Sequence, residues 1–316
     1  MFIHNWVHGI GYGTFKSQYL LYQANYFKDH QGTVPEMLLA GNTYYAFNDY
    51  WQFIIEGGIC SMLVVLAGIV GLFCLFLRSI RRRPGTVIKF IWCFLLALLV
   101  AASFTHLWEK WMYVCMVAQL LLIILLYPPD RQRKTRKMIT ASVLSSIMIF
   151  GWFNWKEIWY YRQYEQYEQA QRLCYAGYAS EGMDILEKIY PTMKHHAIFL
   201  SFYGMQQAKQ EKYKEALRLF KEAQKIQPSN ELYRQIGTCY DHLGDFEKAQ
   251  EALIQSVYMV PNRFVTRYEL FMFYKKHKHF KECRETGQQL LSLPVKVPSS
   301  IVNTIRSHVQ NELTDL

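Results

Sequence analysis

The sequence has no arginine before Arg78, and Lys16 and Lys28 are the only Lys or Arg in that stretch. It has no Cys-x-x-Cys pair and no Cys/His set at ligand spacing. Its seven cysteines are odd in number and irregularly spaced, which speaks against a disulfide framework or a zinc site. No basic segment followed by an apolar core opens the chain, so residues 1–53 do not read as a signal peptide. Asp, Glu, Lys and Arg are also missing from 57–77, 90–108, 111–129 and 138–155.

Half of the chain is apolar (51%), yet the mean hydropathy is −0.05. A very greasy part must therefore be balanced by a very polar one. The greasy part consists of four runs: Ile54 to Leu77, Val87 to Leu107, Trp111 to Tyr127 and Met138 to Trp155. A bilayer crossing needs about 20 apolar residues, so the pattern predicts about four transmembrane helices over 54–155.

The net charge of +10 does not point to nucleic acid, because its location explains it. RSIRRRPGTVIK, between runs one and two, and PPDRQRKTRK, between runs three and four, carry five Lys or Arg each. THLWEKW, between runs two and three, carries one Lys and one Glu. The positive-inside rule puts both basic loops in the cytoplasm. Residues 1–53 and the tail from 156 to 316 are then expected outside, in the periplasm of a bacterial inner membrane. Trp108, Trp111, Trp152 and Trp155 cluster at the expected outer lip, where indoles favour the headgroup layer.

The tail repeats itself. SFYGMQQAKQEKYKEALRLFKEAQKIQP (201–228) aligns with RQIGTCYDHLGDFEKAQEALIQSVYMVP (234–261) at an offset of 33 residues. Gly204 matches Gly237, Tyr213 matches Phe246, Ala216 matches Ala249, and Pro228 matches Pro261. A third copy follows at 34, with Tyr274, Phe280 and Cys283 in the places of Tyr240, Phe246 and Ala249. Small residues let antiparallel helices approach, large ones such as Phe220 and Leu253 fill between pairs, and Pro ends each second helix. The pattern resembles the tetratricopeptide repeat over roughly Tyr164 to Thr304. That resemblance implies a helical solenoid that binds peptides or proteins. His195-His196 and His277-x-His279 lie near repeat turns without a carboxylate or cysteine at ligand spacing, and read as surface residues.

Residues 1–53 carry two further patterns. HGIGYGTF (8–15) spaces three glycines by two, which permits a tight backbone path but lacks the strand and helix of a dinucleotide site. AFNDYWQFIIEGGI (46–59) places amides, aromatic rings, Asp49 and Glu56 at the start of the first span. Taken alone, this reads as an interfacial aromatic belt with a helix cap.

Together, GIGYGTFKSQYLLYQ and AFNDYWQFIIEGGI resemble the O-antigen ligase and polymerase family of membrane glycosyltransferases. Gly9, Gly11, Gly13, Phe15, Tyr22 and Gln23 match that family's first element, and Asn48, Tyr50, Gln52, Glu56, Gly58 and Ile59 its second. The resemblance implies transfer of a glycan from an undecaprenyl-pyrophosphate carrier to an acceptor, with no metal or organic cofactor. Its substrate-binding set here is Gly11, Gly13, Phe15, Tyr22, Gln23, Asn48, Tyr50, Gln52 and Glu56. The family's histidine position holds Phe47. Asp49 is then either a carboxylate base in its place or a helix cap or surface acid. The chain matches only the last part of that family's catalytic domain and lacks its donor-side arginines.

The expected fold is all-α: a multi-pass bundle of about four spans (54–155) between a periplasmic loop (1–53) and a tetratricopeptide solenoid (156–316). Two functions stay open. One is a partial ligase- or polymerase-type glycosyltransferase, whose activity needs further N-terminal spans. The other is a non-catalytic membrane-anchored scaffold that binds envelope proteins.

Overall fold

Helix is the only regular structure among the described residues. The computed structural model describes residues 1–30, 32–82, 86–108, 110–126 and 132–315. The chain runs α1 (Phe2–Asn5), α2 (Phe15–His30), α3 (Val34–Leu39), α4 (Asp49–Arg82), α5 (Thr86–Ala101) and α6 (Trp111–Leu126). It continues through α7 (Gln132–Tyr175), α8 (Ala179–Met193), α9 (Ala197–Lys209), α10 (Tyr213–Ile226) and α11 (Asn230–His242). It ends with α12 (Phe246–Met259), α13 (Phe264–Lys276), α14 (Phe280–Ser292) and α15 (Ser300–Asp315). Packing divides it into two units: Met1–Phe15 with Tyr45–Arg162, and Lys16–Tyr44 with Gln163–Leu316.

The first unit is the apolar one. α4 is long and apolar enough to cross a membrane, and only 6% of its most apolar window is buried, which separates it from the core helix of a soluble protein. α5 packs against it and α6 packs against α5, in a cluster built on Ile88, Trp92, Leu95 and Ile124 with Leu72, Leu75 and Phe76 around it. Trp92 donates its indole N–H to Ser79 Oγ at 3.1 Å. α5 and α6 have 16 residues each. At the helical rise that is about 24 Å, short of the roughly 30 Å hydrocarbon core. Among the described residues, α4 alone is both long and apolar enough for a full crossing.

Three boundaries differ from the sequence expectation. The second apolar run reaches Leu107, but its helix stops at Ala101. There the amides of Ser103 and Phe104 turn back to the carbonyls of Val100 and Ala101, and Thr105 Oγ1 takes the Ala101 carbonyl as well. α4 starts five residues before the first run, at Asp49, and breaks at Gly58 (φ 63°, ψ −146°). α7 carries the fourth run without interruption into the polar tail and ends at Tyr175. Basic-loop residues Arg83 and Arg131 lie outside the described residues.

The second unit is a stack of helical hairpins. Successive partners α9–α10, α11–α12 and α13–α14 pack within pairs, and α10–α11 and α12–α13 join the pairs. A Cβ on Gly204 would sit 2.6 Å from the Phe220 ring, and one on Gly237 would sit 2.7 Å from Leu253 Cγ. In the third hairpin the sizes are exchanged. Phe271 occupies the glycine position, fully buried, and Gly287 in α14 makes room for its ring. Ala216, Ala249 and Cys283 share one repeat position and are all 0% exposed. α15 closes the stack with Ile305 and Val309 inward and Asn303, Thr304 and Gln310 exposed, a polar outer face of the kind a terminal repeat needs.

A segment far away in sequence completes this unit. Leu20 and Ala24 of α2 are buried on Met259 and Val260, with Tyr19, Tyr44, Tyr233 and Tyr258 around them. Gln23 Nε2 donates to the carbonyls of Gly41 (3.2 Å) and Met259 (2.5 Å). Asn42 Nδ2 donates to Asn230 Oδ1 at 2.8 Å, and Asn262 Nδ2 donates to the Leu38 and Ala40 carbonyls. Residues 16–44 thus form a strap across two consecutive turns between hairpins. A capping box between Thr33 and Glu36 starts its short helix α3.

Candidate functional site

The two glycine-bearing patterns of the N-terminal region meet in space. Where α4 breaks at Gly58, the Ile59 amide leaves the helix and donates to the Val7 carbonyl (3.3 Å). The carbonyls this orphans are taken over by the chain's first residues: Ile10 N–H donates to Ile55 O (3.2 Å) and Gly11 N–H to Glu56 O (2.9 Å). A break in an apolar helix needs such replacement partners, because its freed backbone groups have no water to turn to. The contact requires glycine on both sides. A Cβ at Gly9 would lie 2.1 Å from the Glu56 carbonyl oxygen, and one at Gly58 would lie 2.5 Å from the Val7 carbonyl oxygen. Both glycines also have positive φ.

Glu56 locks the same junction with its side chain. It is 7% exposed, and its carboxylate accepts from Gly13 N–H (3.0 Å), Phe15 N–H (3.2 Å) and Gln52 Nε2 (3.5 Å). Phe15 begins α2, which has no acid of its own in the first turn. The Glu56 carboxylate supplies the negative charge that a helix start favours.

The remaining lip residues are tied to the end of α5. Asp49 Oδ2 accepts from the amides of Leu107 (2.8 Å) and Trp108 (3.2 Å), while its own amide donates to Ala102 O. Asn48 caps α4 by accepting from Trp51 N–H and donates to Ser103 O. Tyr50 Oη donates to Leu99 O at 2.9 Å, and Gln52 Oε1 accepts from Ala46 N–H. Gly11, Gly13, Phe15, Asn48, Asp49, Tyr50, Gln52 and Glu56 all belong to this unit. Tyr22 and Gln23 belong to the other unit, where Gln23 holds the strap to the array.

His106 was not singled out in the sequence. Its ring stacks on Tyr45 (centroids 4.4 Å apart, planes 5°) and meets the edge of Phe47 at 6.2 Å. Its Nδ1 is buried and has no hydrogen-bond partner among the described residues. Phe47 is itself unusual, a bulky exposed residue at φ 51°. A lone histidine in the short loop THLWEKW carries no spacing pattern, so only the folded arrangement reveals it. Beside the lip, a recess of about 60 Å³ is lined by Leu98, Leu99, Leu107, Trp108, Tyr113, Val114 and Val117. It is apolar.

The array offers a second surface. Its first helices, α9, α11 and α13, lie side by side. Ile198, Glu231 and Val265 hold one repeat position on them and are exposed. Arg234 pairs with Glu231 on its own helix and Glu269 on the next. Asp241 accepts from Lys276 Nζ (2.7 Å) and His277 Nε2 (2.6 Å). Burial pushes the Asp241 carboxyl up, but those two hydrogen bonds outweigh it and hold the group below its ordinary range. Burial raises the Cys239 thiol to about 11, so it is a packing residue rather than a nucleophile.

No family model and no curated protein matches the chain. Solved structures match part of it. A MamA fragment from Desulfovibrio magneticus RS-1 is similar at 20% identity over 42% of this chain and 75% of that one, with a TM-score of 0.40. Another MamA crystal structure is similar at 13% identity over 48% and 88%, with a TM-score of 0.40. YrrB, described as a tetratricopeptide protein with an unusual peptide-binding site, is similar at 16% identity over 47% and 77%, with a TM-score of 0.36. The helical-repeat character of the second unit rests on its own period and hairpin packing.

Proposed function

We propose that the chain is a membrane-anchored helical-repeat scaffold whose array binds polypeptide partners. The observation that carries this reading is the engagement of both lip carboxylates by backbone amides. Glu56 holds Gly13 and Phe15, and Asp49 holds Leu107 and Trp108. These groups build the junction instead of facing a substrate. The larger folded unit is an array with a capped end and an exposed row at Ile198, Glu231 and Val265, the kind of surface solenoids use for recognition.

The basic loops favour a periplasmic array. The strap and the array share one core, so they must share one compartment. A photo-crosslinking residue at Val265 in living cells tests the reading. The expected result is a discrete crosslinked polypeptide that is lost when Ile198→Glu is added to the chain carrying the crosslinker at position 265. Crosslinking to lipid or glycan alone contradicts it.

His106 favours a second reading, glycan transfer at the lip by a partial ligase- or polymerase-type enzyme. An imidazole with a free buried nitrogen lies against Phe47, where the resembled family carries histidine. Transfer from an undecaprenyl-pyrophosphate glycan by the reconstituted chain, abolished by His106→Ala, would support it. Equal transfer by His106→Ala would remove His106 from that role.

A further inference from the structure

The turns inside successive hairpins form a ladder of stacked rings. The residue opening each second helix is aromatic: Tyr213, Phe246 and Phe280. Tyr213 stacks on His242 from the next turn (centroids 4.3 Å apart, planes 5°). Phe246 stacks on His279 from the turn after that (4.5 Å, 18°) and on Phe273 (4.9 Å, 20°). Phe280 is the last rung. It is 53% exposed and makes no ring contact among the described residues, because α15 succeeds it in place of another hairpin turn.

Cations predominate on the turn that leads into that rung. Lys275, Lys276, Lys278 and Lys281 stand within seven residues. Lys275 is paired with Glu312 and Lys276 with Asp241. Lys278 and Lys281 are exposed and have no ion-pair partner among the described residues. Glu282 stands nearby, 3.8 Å from His279 Nδ1. Lys278 holds φ 59° at the turn.

From this recurrence we infer that Phe280, Lys278 and Lys281 form a docking surface for an acidic polypeptide segment that carries an aromatic or histidine ring. The inner rungs give the template: a protein ring covers the aromatic, and a carboxylate, Asp241, receives the neighbouring cations. The partner would supply both. Aromatic stacking and charge complementarity act together at such a patch. This inference rests on the scaffold reading and names the chemistry of its partner.

The test uses the full chain in lipid nanodiscs and a fluorescein-labelled synthetic peptide alternating Asp and Trp. The peptide should bind, and Phe280→Ala should weaken it about tenfold. Lys278→Glu with Lys281→Glu should weaken it similarly, and so should replacing the peptide's Asp with Asn. Circular dichroism confirms that each variant keeps its helix content. Absent binding, or equal binding by Phe280→Ala, overturns the inference. Phe280-dependent binding to phosphatidylglycerol vesicles but not to the peptide also overturns it, in favour of a lipid surface. Crosslinks from Val265 that persist at full yield in Phe280→Ala, with no peptide binding, would sink this surface while leaving the scaffold reading intact.

Discussion

Glu211 and Lys278 sit in left-handed backbone at φ 61° and 59°. Their counterparts one repeat away are Gly177 and Gly244, at φ 94° and 78°. Each hairpin turn therefore needs a residue in that region, and two turns use one with a Cβ. The left-handed penalty exceeds the entropy glycine adds to the unfolded chain. Glu211→Gly should raise stability by about 0.5–1 kcal/mol, read as a higher urea midpoint. Asp241 adds a pH-dependent term. Its folded pKa lies below the unfolded value, so its contribution is present above about pH 4 and is lost as pH falls through the depressed value. Asp241→Asn should flatten the acid limb of the stability profile in denaturant titrations between roughly pH 5 and 2.

At the scale of elements, stability depends on how large and small residues interlock. Gly204→Ala forces a Cβ against the Phe220 ring and should cost about 1–3 kcal/mol. The strap makes a separate demand. Leu20 is fully buried on the array, so Leu20→Ala should destabilise the repeat unit by about 2–5 kcal/mol although it lies outside every repeat. Thermal unfolding followed by far-ultraviolet circular dichroism measures both.

The hairpins were legible in the sequence because their spacing is local. Gly204, Ala216 and Phe220 recur 33 residues later as Gly237, Ala249 and Leu253. The exchange of Phe271 with Gly287 was not legible, since a glycine lost in one helix had to be sought in another. The strap was hidden for a stronger reason. Gln23 and Met259 are 236 positions apart, and no periodicity links them. At the lip, both motifs and the acids were visible, but their partners were not. Glu56 reaches residues 41 and 43 positions away, and Asp49 reaches 58 and 59. The composition of the stretch therefore could not show whether its polar groups faced a ligand or the fold.

At the scale of the whole molecule, the shared core of strap and array constrains topology. Tyr44 and Gln163 belong to one folded unit, so any membrane crossings made by the chain between them must be even in number. This ties α5 and α6, short as they are, to the question of sidedness. The central claim is that the lip is a structural junction and the array is the working surface. The most direct measurement compares wild type and Asp49→Asn, reconstituted with an undecaprenyl-pyrophosphate-linked glycan and an acceptor. The account predicts no glycan transfer by either protein and a lower melting temperature for Asp49→Asn. Transfer by the wild type that disappears in Asp49→Asn at unchanged melting temperature would contradict it.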